Sequence, residues 1–303
     1  MDPTRKPSSR RTRGGVLLAA GLAAVAVSTP AASQSAPRPG QKVAVVTGST
    51  SGLGQELAMR LASMSMFVVV HGRSEERGRE VVAEIEAAGG SARFYQADFG
   101  AFAQTRAFGE AVLRDFDRLD VLINNAGFGR APDERMVSQD GLEFRFQVNH
   151  LSHFMLTEMW LPLLRASAPA RIVNVSSGAQ QAIDFDDVMI ERGFDGGRAY
   201  AQSKLAQILF TIELAGRLEG TGVVVNALHP ATYMDTRMVQ RAGLTPLATV
   251  DEGADAVMHL VTDDVGSGGY FNGTRPARAN DQAYDAEARA RLWALSEALT
   301  GVR

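Results

Sequence analysis

Val43-Ala-Val-Val-Thr-Gly-Ser-Thr-Ser-Gly-Leu-Gly54 carries a short β-prone run straight into a turn rich in glycine and hydroxyl groups, and an amphipathic stretch follows through Gln55 to Ala62. The run is apolar at successive positions, the pattern of a strand buried on both faces of a parallel sheet. Glycines allow the backbone a tight turn and a close approach to a ligand, and the open amides of a following helix favour a pyrophosphate. The strand-turn-helix setting therefore predicts a dinucleotide site at Gly48, Thr50, Ser51, Gly52, Leu53 and Gly54. The spacing departs from Gly-x-Gly-x-x-Gly, and a plain turn is the alternative.

Outward from this stretch the chain alternates. Phe67-Val-Val-Val-His71, Arg93-Phe-Tyr-Gln-Ala97, Val121-Leu-Ile-Asn124, Ile172-Val-Asn-Val-Ser176 and Val223-Val-Val-Asn-Ala227 are further short β-prone runs. The amphipathic stretches between them are long enough for crossover helices. The expected fold class is α/β: a single-domain, doubly wound parallel sheet, Rossmann-like, with helices on both faces and ligands at the strand ends. The second run ends His71-Gly72-Arg73 instead of in an acid. An acid there would bind a ribose 2′-hydroxyl and repel a 2′-phosphate, whereas Arg73 can pair with that phosphate, so NADP is favoured over NAD. A solvated loop arginine is the alternative.

Tyr200-Ala-Gln-Ser-Lys204 places a phenol and an ammonium on one helix face. A free phenol titrates near about pH 10 and needs a neighbouring cation to act as an acid/base at neutral pH. Alone, the pair is no more than a common solvated helix face. In company it is more: the glycine turn, Asn124-Asn125-Ala126-Gly127, Asn149, Ser176-Ser177 and Tyr200 to Lys204, in this order, resemble the short-chain dehydrogenase/reductases across about residues 41–280. Arg171-Ile-Val-Asn-Val-Ser-Ser177, the long insert before Tyr200, Ser203-Lys204-Leu205-Ala206 and Leu228-His229-Pro230 resemble the retinol dehydrogenase branch. The chain departs from that branch in having Pro230-Ala231 where Pro-Gly is usual.

The resemblance implies the chemistry. Ser177 is expected to hold the substrate oxygen and Tyr200 to exchange the proton. Lys204 is expected to lower the phenol's pKa and grip the nicotinamide ribose, beside a hydride carrier. Asn149, on a helix expected to begin near Ser138, is expected to hold a water that links Lys204 to solvent. Asn125, Ala126 and Gly127 would line the adenosine side, Asp98 would contact adenine, and Pro230 and Thr232 would lie at the nicotinamide carboxamide. Ser176 points opposite to Ser177 in a strand and is the lesser candidate. The reading is an NADP(H)-dependent oxidoreductase acting between a carbonyl and an alcohol; the alternative is an NADP(H)-binding sensor or scaffold that lost turnover. Relatives pair through the helices of Asn149 and Tyr200, which implies a homodimer or homotetramer.

Substrate loops are expected at about residues 178–198 and 232–246, where Phe185, Met189, Phe194, Tyr233, Met234 and Met238 would make an apolar, adaptable pocket for a lipophilic carbonyl or alcohol. With no cysteine in the chain there is neither a disulfide nor a thiolate site, and the resemblance to protochlorophyllide reductases, which carry a pocket cysteine, is disfavoured. His150, His153 and His229 lack the clustered carboxylates of a metal site, and no metal is expected. A formal net charge of -3 offers no field for nucleic acid.

Residues 1–40 read as a leader, with the oxidoreductase domain over 41–303. Arg5, Lys6, Arg10, Arg11 and Arg13 precede the apolar residues 16–27, which are too few to span a bilayer core of about 30 Å. Ser9-Arg10-Arg11 resembles a twin-arginine signal, which predicts export to the bacterial periplasm; a cytoplasmic protein is the alternative. No stable membrane span is expected.

Overall fold

Each apolar run becomes a strand of one sheet: β1 (Val43–Val46), β2 (Phe67–Gly72), β3 (Ser91–Gln96), β4 (Val121–Asn124), β5 (Ala170–Val175) and β6 (Val223–His229). Two short strands absent from the sequence reading, β7 (Tyr270–Asn272) and β8 (Arg275–Ala277), complete it. Three residues each are too few to show a period, and Pro276 is tolerated because β8 is an edge strand. The computed structural model describes residues 35–302, so the basic head and apolar run of the leader lie outside the described residues. Ser35 donates to the Ala92 carbonyl at 2.7 Å and its own carbonyl accepts from Arg93 at 3.0 Å. Residues just upstream of 41 are thus held on edge strand β3. Among the described residues, no helix is long and apolar enough to cross a membrane.

The strand order is β3-β2-β1-β4-β5-β6-β7-β8, parallel throughout except for β8. The chain winds outward from β1 to β3, then crosses back to place β4 on the other side of β1. The reversal opens a crevice at the carboxyl ends of β1 and β4, where ligands settle in open α/β sheets.

Successive apolar residues in β1 and β2 explain the two layers. Val43, Val45, Phe67 and Val69 pack on one face against α3 (Phe102–Asp115), α5 (Ser152–Ala166) and α6 (Gly196–Arg217). Ala44, Val46, Val68 and Val70 pack on the other against α1 (Gly52–Ser63), α2 (Glu75–Ala87) and α8 (Val250–Thr262). Burial of each valine contributes roughly 1.5–3 kcal/mol, so a polar residue at any of them would be costly. Two short helices, α4 (Phe144–Phe146) and α7 (Arg237–Arg241), flank the crevice, and α9 (Ala286–Thr300) closes the α6 side.

The helix carrying Asn149 begins at Phe144 and not near Ser138. Gly141 has φ +80°, incompatible with a helix, and the Ser138 hydroxyl accepts from Leu142 N at 3.1 Å, closing a turn. Glu143 caps α4 through Phe146 N at 2.7 Å.

Asp120 clips β1 to β4: its buried carboxylate accepts Val43 N–H at 2.8 Å and the Arg118 guanidinium at 2.6 Å. Replacing it strands a buried amide. Asp120→Ala is expected to lower unfolding free energy by about 2 kcal/mol in urea denaturation; a variant of unchanged midpoint would remove this clip from the account.

Candidate active site

Every step of the crevice depends on how β1 ends. Gly48 has φ +67°, and a Cβ on it would lie 2.8 Å from Ala126 Cα, so only glycine lets the β1 turn approach the β4 turn. A Cβ on Gly54 would collide with the Gly48 carbonyl. Helix α1 then begins with Ser51 at its N-cap making no side-chain cap and with no acid in its first turn. Its amides and positive dipole end serve the crevice.

Thr47 fixes the relation between the two turns. Its hydroxyl accepts the N–H groups of Asn125 and Ala126, both at 2.9 Å, and lies 2.9 Å from His153 Nε2. His153 Nδ1 is 2.9 Å from the Asn149 carbonyl, which can only accept, so Nδ1 carries the proton and Nε2 accepts from Thr47. Burial pushes His153 down to about 4, consistent with that neutral ring. The Asn125 amide donates to the Thr47 and Gly48 carbonyls at 2.9 and 3.2 Å. On the other flank, Gly48 N–H donates to His71 Nδ1 at 3.0 Å. His71 stacks on Phe99 and Phe108 with centroids 4.3 and 4.8 Å away, and burial pushes it down to about 3.

Nearly all the residues singled out in the sequence line one cleft of about 750 Å³. These are Gly48, Thr50 to Gly54, Arg73, Asp98, Asn125 to Gly127, Ser177, Tyr200, Lys204, Pro230 and Thr232. Arg73 is 58% exposed and 3.9 Å from the Asp98 carboxylate. Arg77, one turn into α2, also lines the cleft and was not singled out, although its spacing four beyond Arg73 was a legible signal. Thr232 is bonded to His229 Nε2 at 3.0 Å. An open helix amino end, glycine-limited turns and two guanidinium groups form a cradle whose chemistry fits a dinucleotide phosphate.

The reacting end is built by β5 and α6. Ala179 N–H donates to the Ser177 hydroxyl at 3.1 Å, and Tyr270 donates to the Ser177 carbonyl at 3.0 Å. Ser176 donates to the Lys204 carbonyl at 2.7 Å, tying strand to helix and leaving Ser177 to face the cleft. Lys204 Nζ donates to the Val175 carbonyl and to Gln207 Oε1, both at 2.9 Å; Gln207, three residues along the same helix, was also not singled out. Burial pushes Lys204 down to about 7. Burial raises the Tyr200 phenol, opposed by the neighbouring Ser177 hydroxyl. The ammonium lies 5.8 Å from the Tyr200 ring centre.

Asn149 stands behind the cleft instead of in it, within the π-helical turn Gln147–Leu151. Its Oδ1 accepts from Phe128 N at 2.7 Å, and its amide donates to the Phe128 carbonyl at 3.1 Å and the Ser203 hydroxyl at 2.8 Å. Ser203 in turn donates to the Tyr200 carbonyl at 2.7 Å, so Asn149 braces the helix turn that carries the phenol. Three apolar residues expected in the pocket are elsewhere. Phe185 and Met189 pack on the core beneath α6 and α9, and the Arg145 guanidinium lies 5.5 Å from the Phe194 ring centre. All three are half-buried in those contacts. Tyr233, Met234 and Met238 do line it.

Thr47→Val keeps the shape of a fully buried side chain, leaves the Ala126 amide without its acceptor and leaves the Asn125 amide with the Ile123 carbonyl alone. It is expected to lose about 2–4 kcal/mol of stability, or at least tenfold in nucleotide affinity by fluorescence titration, while Thr47→Ser retains both. Equal behaviour of the two variants would contradict the role given to the hydroxyl.

Residues 42–246 match the family profile for short chain dehydrogenases. Human retinol dehydrogenase 13 is 36% identical over 293 residues, covering 86% of this chain and 85% of its own length. A solved structure of an uncharacterized protein from Mycobacterium paratuberculosis superposes with a TM-score of 0.74 at 31% identity, covering 88% of this chain and 96% of that one. A metagenomic short-chain oxidoreductase in complex with NADP superposes with a TM-score of 0.59 at 28% identity, over 74% of this chain and 91% of its own. With the sheet order, the glycine turn and the Ser177-Tyr200-Lys204 grouping already in place, these similarities make the chain a member of the short-chain dehydrogenase family, in its retinol dehydrogenase-like branch.

Proposed function

We propose that the protein is an NADP(H)-dependent oxidoreductase that interconverts a lipophilic carbonyl and its alcohol, with Tyr200 as the general acid/base. The observation that carries the reading is the convergence of Ser177, Tyr200 and Lys204 on the cleft that the glycine turn also lines. When bound, the nicotinamide supplies or accepts the hydride. The protein's own part is to hold and protonate an oxygen. Ser177 positions that oxygen by its hydroxyl, and Tyr200 delivers or removes the proton. Lys204, held by Val175 and Gln207, sets its amine on the helix face that it shares with the phenol. Asn149 takes a positioning role through Phe128 and Ser203.

Arg73 and Arg77 favour the phosphorylated dinucleotide, because two guanidinium groups at the end of β2 attract a 2′-phosphate where an acid would repel it. The NADP complex of the metagenomic relative agrees with this choice. Apolar Met234, Met238 and Tyr233 beside the cleft favour a lipophilic substrate, in keeping with relatives named for retinol.

Tyr200→Phe is expected to lower kcat/KM for aldehyde reduction by roughly 10²–10⁴-fold while NADPH affinity changes by less than about threefold; unchanged turnover sinks the acid/base assignment. Arg73→Glu combined with Arg77→Glu should weaken NADPH by at least about tenfold and leave NADH nearly unaffected, measured by fluorescence titration. A parallel loss for both nucleotides would show that these arginines do not read the 2′-phosphate.

A further inference from the structure

A second set of cations lines the same cleft: Arg130, Arg237 and Arg241. All three side chains are exposed, and none takes part in an ion pair among the described residues, unlike Arg73, Arg93, Arg145 and Arg198. The acids closest in sequence are already engaged or remain apart from them. Asp133 accepts Gly196 N–H at 2.6 Å, Asp235 accepts from Gln240 at 2.9 Å, and Glu134 forms no ion pair with them.

Their placement is fixed by backbone contacts. The Arg130 carbonyl accepts from the buried Arg145 at 2.9 Å, and a Cβ on Gly196 would lie 2.6 Å from it, so Arg130 adjoins the start of α6, one turn before Tyr200. A Cβ on Gly129 would lie 2.9 Å from Met238 Cγ, which brings α7 against the same loop. Arg237 and Arg241 are four apart on α7 and share a face. Arg237 follows Thr236, whose Cγ2 would be 3.2 Å from a Cβ on Gly52, so it stands on the glycine-turn side. Arg241 is one helical turn farther on.

Hydride transfer to a neutral carbonyl needs no such charges, and Arg73 with Arg77 already supply the cations at the end of β2. Guanidinium groups without a carboxylate partner beside an apolar wall suit an anion, which they bind in forked geometry. From this, and resting on the oxidoreductase reading of the same cleft, we infer that the substrate is amphipathic: its apolar body lies along Tyr233, Met238 and Val239, and an anionic headgroup meets Arg130 and Arg241.

Calorimetry in the presence of saturating NADP+, with dodecanoate, dodecyl phosphate and dodecanamide below their micelle concentrations, tests this directly. One or both anions are expected to bind at least about tenfold more tightly than the amide, the tighter one naming the headgroup, and Arg130→Gln with Arg241→Gln should bring the ratio to about one. A ratio near one in the unaltered protein, or one that survives both substitutions, overturns the inference. So does a loss of NADP+ affinity in the double variant, which would assign these arginines to the nucleotide. Because binding is read without turnover, a negative result leaves the Tyr200 assignment standing, and a failed Tyr200→Phe test leaves this one standing.

Discussion

The Thr47 hydroxyl, with three nitrogens at 2.9 Å, sits where β1, β4 and α5 must meet. Two of those nitrogens belong to Asn125 and Ala126; the first also donates to the Ile123 carbonyl at 3.0 Å, and the second has the Thr47 hydroxyl as its acceptor. The third belongs to His153, whose other nitrogen holds the Asn149 carbonyl. One oxygen therefore sets the distance between the glycine turn and the β4 turn, and through His153 it sets the π-helical turn that braces Tyr200. The turn geometry, the nucleotide cradle and the placement of the phenol all depend on this contact. It works only while His153 is neutral. Burial secures that state by pushing the imidazole well below its ordinary range.

The reacting end is governed by desolvation more than by pairing. Lys204 is held by a carbonyl and an amide oxygen, with no carboxylate among its hydrogen-bond partners, so burial lowers it, and the Tyr200 phenol is raised for the same reason. Both shifts favour neutral forms in a low-dielectric pocket. A phenol held protonated beside a serine hydroxyl suits proton delivery to a carbonyl oxygen. Arg73 and Arg77 line the same cleft from the side of β2 and α2.

Much of this was legible in the residues because the governing physics is local. Val43 to Val46 and Phe67 to Val70 are apolar at every position, as strands covered on both faces are. Gly48 and Gly54 mark close approaches that no side chain permits. Tyr200 and Lys204 became interpretable once Ser177 and the ordered motifs gave them partners. What stayed hidden was set by contacts distant in sequence. The start of the Asn149 helix depends on a turn closed by Ser138 around Gly141. Phe185, Met189 and Phe194 have pocket-like composition but pack against the core beneath α6 and α9 or the Arg145 guanidinium, and β7 and β8 are too short to announce themselves. The His71 contact with Gly48 gave no sequence signal at all, since only the sheet register brings the end of β2 to that amide. Arg77 and Gln207 were readable from spacing and show that a motif's near neighbours carry information equal to its own.

In the proposed reaction this cleft brings a carbonyl to Tyr200 for direct hydride transfer. The most direct measurement is mass spectrometry of the alcohol formed from a lipophilic aldehyde and NADPH carrying deuterium at the transferring C4 position. The account predicts one deuterium on the carbinol carbon of the product; an alcohol formed without deuterium, or no reduction of any aldehyde tested, would contradict it.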